Sequence, residues 1–251
     1  MKNTHPLRYL GWSLLLFSLL YLFAGRPASP IAPHKIQSNT AIQQLPVPYA
    51  KGIDVSHYQG NIDWKEVLNQ DVSFAYIKTT DGITYSDPKH KANQDALVKL
   101  NTPFGLYHFF EPKDDGVMQA NNFLKQMSDN PLMLPPVLDV EISKGVSTKV
   151  IKKEVKQWLD AVEKQTGCQP IIYSYKDYYD EHLGSEFDQY DLWLADYAKE
   201  PSLPKNRSQW TFWQHSQKGS LKGIRGTVDL NWFQGDRADL NKLICNTGKP
   251  T

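Results

Sequence analysis

The sequence predicts an α/β fold, an irregular TIM-like barrel, on three observations. Eight short β-rich segments recur along the chain, helical stretches fill the gaps between the early ones, and the gaps shorten toward the C-terminus. The segments are KGIDVS (51–56), VSFAYIKTT (72–80), PFGLYHFF (103–110), PPVLDVE (135–141), PIIYSY (170–175), DLWLADY (191–197), WTFWQHS (210–216) and TVDLNWF (227–233). Several are near-continuous apolar runs, the pattern of strands buried on both faces of a parallel sheet. With centres at Asp54, Tyr76, Tyr107, Leu138, Ile172, Leu194, Trp213 and Asp229, successive gaps are 22, 31, 31, 34, 22, 19 and 16 residues. Gaps of 31 to 34 accommodate a β–α unit, whereas the last are too short for a crossover helix of about a dozen residues beyond the strands. The clearest helix spans 148–166, where Val150, Ile151, Val155, Trp158, Leu159 and Val162 form one apolar stripe, with Ser147 as N-cap and Gly167 as stop. Residues 94–100 and 117–127 read as further helices. A doubly wound open sheet is the rival fold, and no GxGxxG or P-loop supports it.

Composition bounds the function. The chain has 251 residues with 28 Lys+Arg against 27 Asp+Glu, enough for one large domain and too evenly charged for a phosphate-neutralising surface, so no nucleic-acid partner is expected. Hydrophobic content of 40% with 22% charged residues excludes a mostly disordered chain and a multi-span membrane protein. Seven Trp, 13 Tyr and 10 Phe are a surplus that serves as core filler, membrane anchor or stacking platform.

The N-terminus sets the compartment. Tyr9 to Gly25 is a 17-residue apolar run preceded by Lys2, His5 and Arg8. Residues 1–25 therefore read as a signal-anchor, with a cleaved signal peptide as the alternative, because no clean A-x-A site follows. The flanking cations place the N-terminus in the cytoplasm and the remainder outside, so the membrane is an expected partner and the location is extracytoplasmic. Residues 26–50 carry Pro27, Pro30, Pro33, Pro46 and Pro48 and read as an extended tether. The barrel is assigned to 51–245 and a short tail to 246–251. Outside the cytoplasm Cys168 and Cys245 can pair; two separate buried thiols is the alternative.

Active sites of β/α barrels lie at the C-terminal ends of the strands. Here those ends carry acids: Asp54, then Asp139 and Glu141, then Asp196, with Asp229 in the eighth segment. Asp139 and Glu141, two apart on a strand, face the same side about 6.5–7 Å apart. Two acids behind an apolar PPVL run are costly to bury. Desolvation and repulsion would leave one protonated beside one ionised, which is what glycosidic cleavage requires. Aromatics gather at the same ends: Tyr58, Tyr107, Phe109, Tyr173, Tyr175, Trp193, Tyr197, Trp213 and Trp232. With Gln59 and Gln214 they suit the apolar faces and hydroxyls of sugars. Neither HExxH nor Cys/His ligand spacing occurs, so no metal or other cofactor is expected.

Together these segments resemble a known family. GIDVSHYQGNIDW, YIKTTDGITYSDP, YHFFEP, PPVLDVE, IIYS, LWLADY and WQHS…GIRGTVDLNWFQG occur in the order found in glycoside hydrolase family 25, the Chalaropsis-type muramidases, across residues 51–235. The resemblance implies a (β/α)5β3 barrel and hydrolysis of the β-1,4 bond between N-acetylmuramic acid and N-acetylglucosamine in peptidoglycan. It implies Glu141 as general acid/base, and Asp139 as nucleophile or as the group that orients the substrate acetamido group. Asp54 and Asp229 would complete the acidic ring. Tyr58, Gln59, Tyr107, Tyr173, Trp193, Asp196, Trp213 and Gln214 are the expected substrate contacts, in a monomer. A non-catalytic peptidoglycan-binding module and a hydrolase of another N-acetylhexosamine polymer, such as chitin, are the competing readings.

Overall fold

The computed structural model describes residues 49–127, 130 and 133–245. The hydrophobic segment, nearly all of the Pro-rich stretch and the C-terminal tail lie outside them. Among the described residues no helix is long and apolar enough to cross a membrane.

All eight β-rich segments form strands: β1 (Ala50–Val55), β2 (Phe74–Asp81), β4 (Phe104–Phe109), β5 (Val137–Asp139), β6 (Ile171–Tyr175), β7 (Leu192–Ala195), β8 (Phe212–Gly219) and β9 (Val228–Phe233). A two-residue β3 (Tyr85–Ser86), invisible as a pattern at that length, pairs antiparallel with the end of β2. The sheet runs β1-β9-β8-β7-β6-β5-β4-β2 and closes through β1 on β2, an eight-stranded barrel. Every pairing from β1 through β2 and β4 to β8 is parallel; β9 alone is antiparallel to both its neighbours.

The helices follow the gap lengths. Helices α1 (Trp64–Leu68), α2 (His90–Lys99), α3 (Gly116–Leu124) and α4 (Thr148–Thr166) fill the first four crossovers. A broken helical stretch, α5 (Lys176–Tyr178) running into a π turn over Tyr179–Leu183, fills the fifth. After β7 the connections are loops, and α6 (Arg237–Lys242) follows the last strand. Relative to the sequence reading, α2 starts four residues earlier and α3 ends three residues sooner. Asp63 and Asp115 cap α1 and α3 by accepting the Glu66 and Met118 N–H groups. Ser147 occupies the N-cap of α4 with extended backbone but makes no side-chain cap bond, whereas Gly167 ends that helix at φ 68°.

Alternation along each strand divides the core in two. Outward residues such as Ile53, Ile77, Leu106, Leu138, Ile172 and Leu194 pack with Trp158, Leu159 and Phe123 of the helices. Inward residues fill the barrel: Phe74, Tyr76, Val137, Ile171, Trp193, Phe212 and Phe233. Much of the aromatic surplus is therefore barrel filling. The rings touch, Tyr76 to Trp193 at 4.7 Å and Phe74 to Phe212 at 5.2 Å between centroids. Room for them comes from two glycines: a Cβ on Gly52 would lie 2.3 Å from the Phe74 ring, and one on Gly105 within 1.9 Å of Tyr76.

Cys168, just past α4, and Cys245, just past α6, form a disulfide across a separation of 77 residues, with Cα atoms 5.8 Å apart. Closing a loop of that length restricts the unfolded chain by roughly 4 kcal/mol. Replacing both cysteines by serine is accordingly expected to lower unfolding free energy by an amount of that order in chemical denaturation, and an unchanged midpoint would contradict it.

Candidate active site

The aromatic filling forms a floor, and the acids stand above it. β9 runs against its neighbours, so its first residues reach the same mouth as the last residues of the parallel strands. Asp229 is thereby in register with Asp54 of β1. Asn231, two residues on, points inward one pleat deeper.

Asp54 is 7% exposed. Its Oδ2 accepts from Asn231 Nδ2 at 2.8 Å and from Gln214 Nε2 at 3.0 Å. Gln214 Oε1 in turn accepts the hydroxyls of Tyr173 (3.0 Å) and Tyr197 (2.8 Å), and Asn231 Oδ1 accepts Trp193 Nε1–H at 2.9 Å. Burial raises the Asp54 carboxyl, opposed by hydrogen bonds from Asn231, Gln214 and Asp229. Asp229 is pushed up to about 8 by burial, then by the Asp54 charge and the hydrogen bond between them. The two carboxyls, raised together and hydrogen-bonded to one another, titrate as a pair.

Asp139 ends β5 and Glu141 follows just beyond it. Asp139 is 7% exposed, and its Oδ1 has no hydrogen-bond partner. Burial, then the charge of Glu141, drives its carboxyl well above the usual range, while Lys78 opposes both. Glu141, only partly buried, is raised by desolvation and by Asp54, again against Lys78. An unpaired buried acceptor costs about 1–3 kcal/mol. Among the described residues no donor meets that oxygen, and the Lys78 charge is what offsets the burial of Asp139.

A cleft of about 240 Å³ opens above this group, lined by Asp54, Asp139, Glu141, Asp229, Tyr58, Gln59, Tyr107, Tyr173, Trp193 and Gln214. Ten of the twelve residues expected from sequence therefore converge. Tyr58 is 81% exposed at the rim, its ring 4.2 Å from that of His57, which the buried Asp87 holds at 2.7 Å. Tyr107 is pushed well up by burial and by four carboxylates, and so remains a neutral phenol.

Two expected residues stand apart. Asp196 closes its own loop, accepting the Ala198 and Ser202 N–H groups at 2.9 and 2.8 Å. Trp213 points outward, opposite in parity to Gln214, and packs against Trp210 and Trp232. Gln59 and Gln214 line the cleft with amides already engaged: Gln59 caps the Ser56 N–H and bonds Thr227 O. The sequence reading missed Lys78 and Asn231 and left Phe109 among the general strand-end aromatics. Strand parity was the signal, since Lys78 lies two residues beyond the inward Tyr76, and Asn231 two beyond Asp229. Among the described residues no group of three or more His, Cys, Asp or Glu is disposed to hold a metal ion.

A closed barrel with paired carboxyls above an aromatic floor at its strand ends defines a barrel glycosidase. The family model for glycosyl hydrolases family 25 matches residues 53–224, and the chain belongs to that family, a glycoside hydrolase. It is 33% identical to lysozyme M1 of Streptomyces globisporus over 211 residues, 78% of this chain and 72% of that one. It is 35% identical to the uncharacterized protein YegX of Escherichia coli O157:H7 over 232 residues, 90% of this chain and 81% of that one. The bacterial lysozyme of Streptomyces coelicolor has a similar structure, with a TM-score of 0.74 and 33% identity over 79% of this chain and 98% of that one.

Proposed function

We propose that this chain is a muramidase that cuts the β-1,4 bond between N-acetylmuramic acid and N-acetylglucosamine in peptidoglycan, with Glu141 as general acid/base. The observation that carries the reading is Asp139: a buried carboxyl with an orphan oxygen, two residues from a second raised carboxyl, in a family 25 barrel. The raised Glu141 protonates the departing glycosidic oxygen and later takes a proton from water. Asp139, beneath it, either bonds the anomeric carbon or holds the acetamido group that does so; both routes retain configuration. Asp54 and Asp229 sit behind the pair, in register and joined by a hydrogen bond. Tyr58, Tyr107, Tyr173 and Trp193 offer ring faces and hydroxyls to the glycan.

The barrel is the catalytic domain, acting as a monomer because one chain supplies the whole cleft. We place it outside the cytoplasm, tethered through residues 1–25 and the Pro-rich stretch; the Cys168–Cys245 disulfide supports an oxidising compartment. Digestion of purified peptidoglycan and of chitin, with products read by mass spectrometry, tests the substrate. Muropeptides ending in reducing N-acetylmuramic acid are expected. Products ending in N-acetylglucosamine, cleavage of chitin alone, or no cleavage of either would overturn the assignment.

A further inference from the structure

Lys78 is the one cation lining the acidic cleft among the described residues. It lies on β2 in register with Tyr107 of β4, itself in register with Val137 of β5. These three form one inward rung, and Asp139 is one pleat above Val137. Two strand spacings separate Lys78 from β5, about 10 Å at the backbone, a span that two inward side chains can bridge. Its side chain is only 14% exposed. The ammonium donates to Asp81 Oδ2 at 2.9 Å and lies 4.6 Å from the centre of the Phe109 ring. Burying a lysine is costly unless its charge is used. Asp81, 27% exposed, accepts from one of the three ammonium N–H groups, and Lys78 lines the cleft.

We propose, on the reading of Asp139 and Glu141 above, that Lys78 is a positioning residue for the hydrolysis, its ammonium being the counter-charge that keeps the Asp139 carboxylate available among acids and aromatics. Among the described residues the other ionisable groups lining the cleft around Asp139 are carboxyls or phenols: Asp54 from β1, Tyr58 just after it, Tyr107 from β4, Glu141 beyond β5, Tyr173 from β6 and Asp229 from β9, while Asp81 of β2 and Tyr85 of β3 face Lys78 itself. Asp139 has no donor on its Oδ1 to replace a lost cation. Lys78 opposes the rise of both Asp139 and Glu141, whereas Asp81 adds to that of Asp139. The two members of the Lys78–Asp81 pair therefore act on the nucleophile side with opposite sign.

That opposition is the test. Profiles of kcat/KM against pH on solubilised peptidoglycan are measured for the full chain and for Lys78→Met, Lys78→Arg and Asp81→Asn. In Lys78→Met the acid limb, which reports the group that must ionise in the free enzyme, moves up by about one pH unit or more. Activity at pH 5 then falls at least about tenfold and partly recovers at higher pH. Lys78→Arg holds the limb in place, and Asp81→Asn moves it down. A Lys78→Met enzyme weakened equally at every pH, or one with the parental profile, overturns the proposal. Should Lys78→Met fail to fold, an Asp81→Asn limb that stays put or rises overturns it instead. Full activity in Glu141→Gln or Asp139→Asn would sink the underlying reading, an outcome separate from any shift caused by Lys78.

Discussion

Glu141→Gln releases reducing ends from peptidoglycan at least about 10²–10⁴-fold more slowly than the parent, the range for loss of a general acid. The substitution keeps the shape of the side chain and removes the proton. Glu141 lies beyond the last residue of β5 and is partly buried, so no barrel hydrogen bond depends on it. The melting temperature should be unchanged or slightly higher. A variant with near-parental turnover identifies another residue as the acid, and a collapsed melting temperature shows that Glu141 holds the fold.

Asp139→Asn is expected to abolish turnover and to stabilise the protein at neutral pH. The sign follows from linkage. The folded-state carboxyl is raised well above 3.8, first by burial and then by Glu141. A raised carboxyl contributes its full stability below the unfolded value, and that stability is lost as pH climbs through the folded value. Above that window the native protein carries a buried anion with an orphan oxygen. The neutral amide removes the anion, for a gain of about 1 kcal/mol or more, or roughly 2–4 °C in Tm for a domain of this size. The difference between variant and parent should fade as pH falls toward 4. Thermal melts at pH 4 and pH 7 decide it; a variant less stable than the parent at pH 7 contradicts the account. Stability given up for function is common at catalytic acids.

The strands were readable because both their faces are largely buried, which makes segments such as β2, β6 and β7 near-continuous apolar runs that no surface helix imitates. The α4 stripe was readable for the converse reason, one face being apolar over five turns. What remained hidden was direction and parity. Nothing in TVDLNWF says that β9 runs backwards, yet that reversal brings Asp229 beside Asp54. Asp196 and Trp213 sit at strand ends as expected but on the wrong side of the backbone or within their own turn. Lys78 escaped because a lysine in an apolar strand reads as a surface interruption, whereas it lines the cleft with its ammonium over the Phe109 ring. The four acids were legible chiefly as a set: each alone has a structural use, and only their common arrival at strand ends points to chemistry.

The seam between β1 and β9 also bears on when the enzyme becomes active. Asp54 belongs to the first strand made and Asp229 to the last, and Asn231 reaches back across 177 positions to hold Asp54. Contacts so distant along a chain form late and slowly. Until that seam closes, Asp139 and Glu141 have neither Asp54 held by Asn231 nor a closed wall around the cleft. The acidic ring is thus complete only once the barrel has closed along this seam.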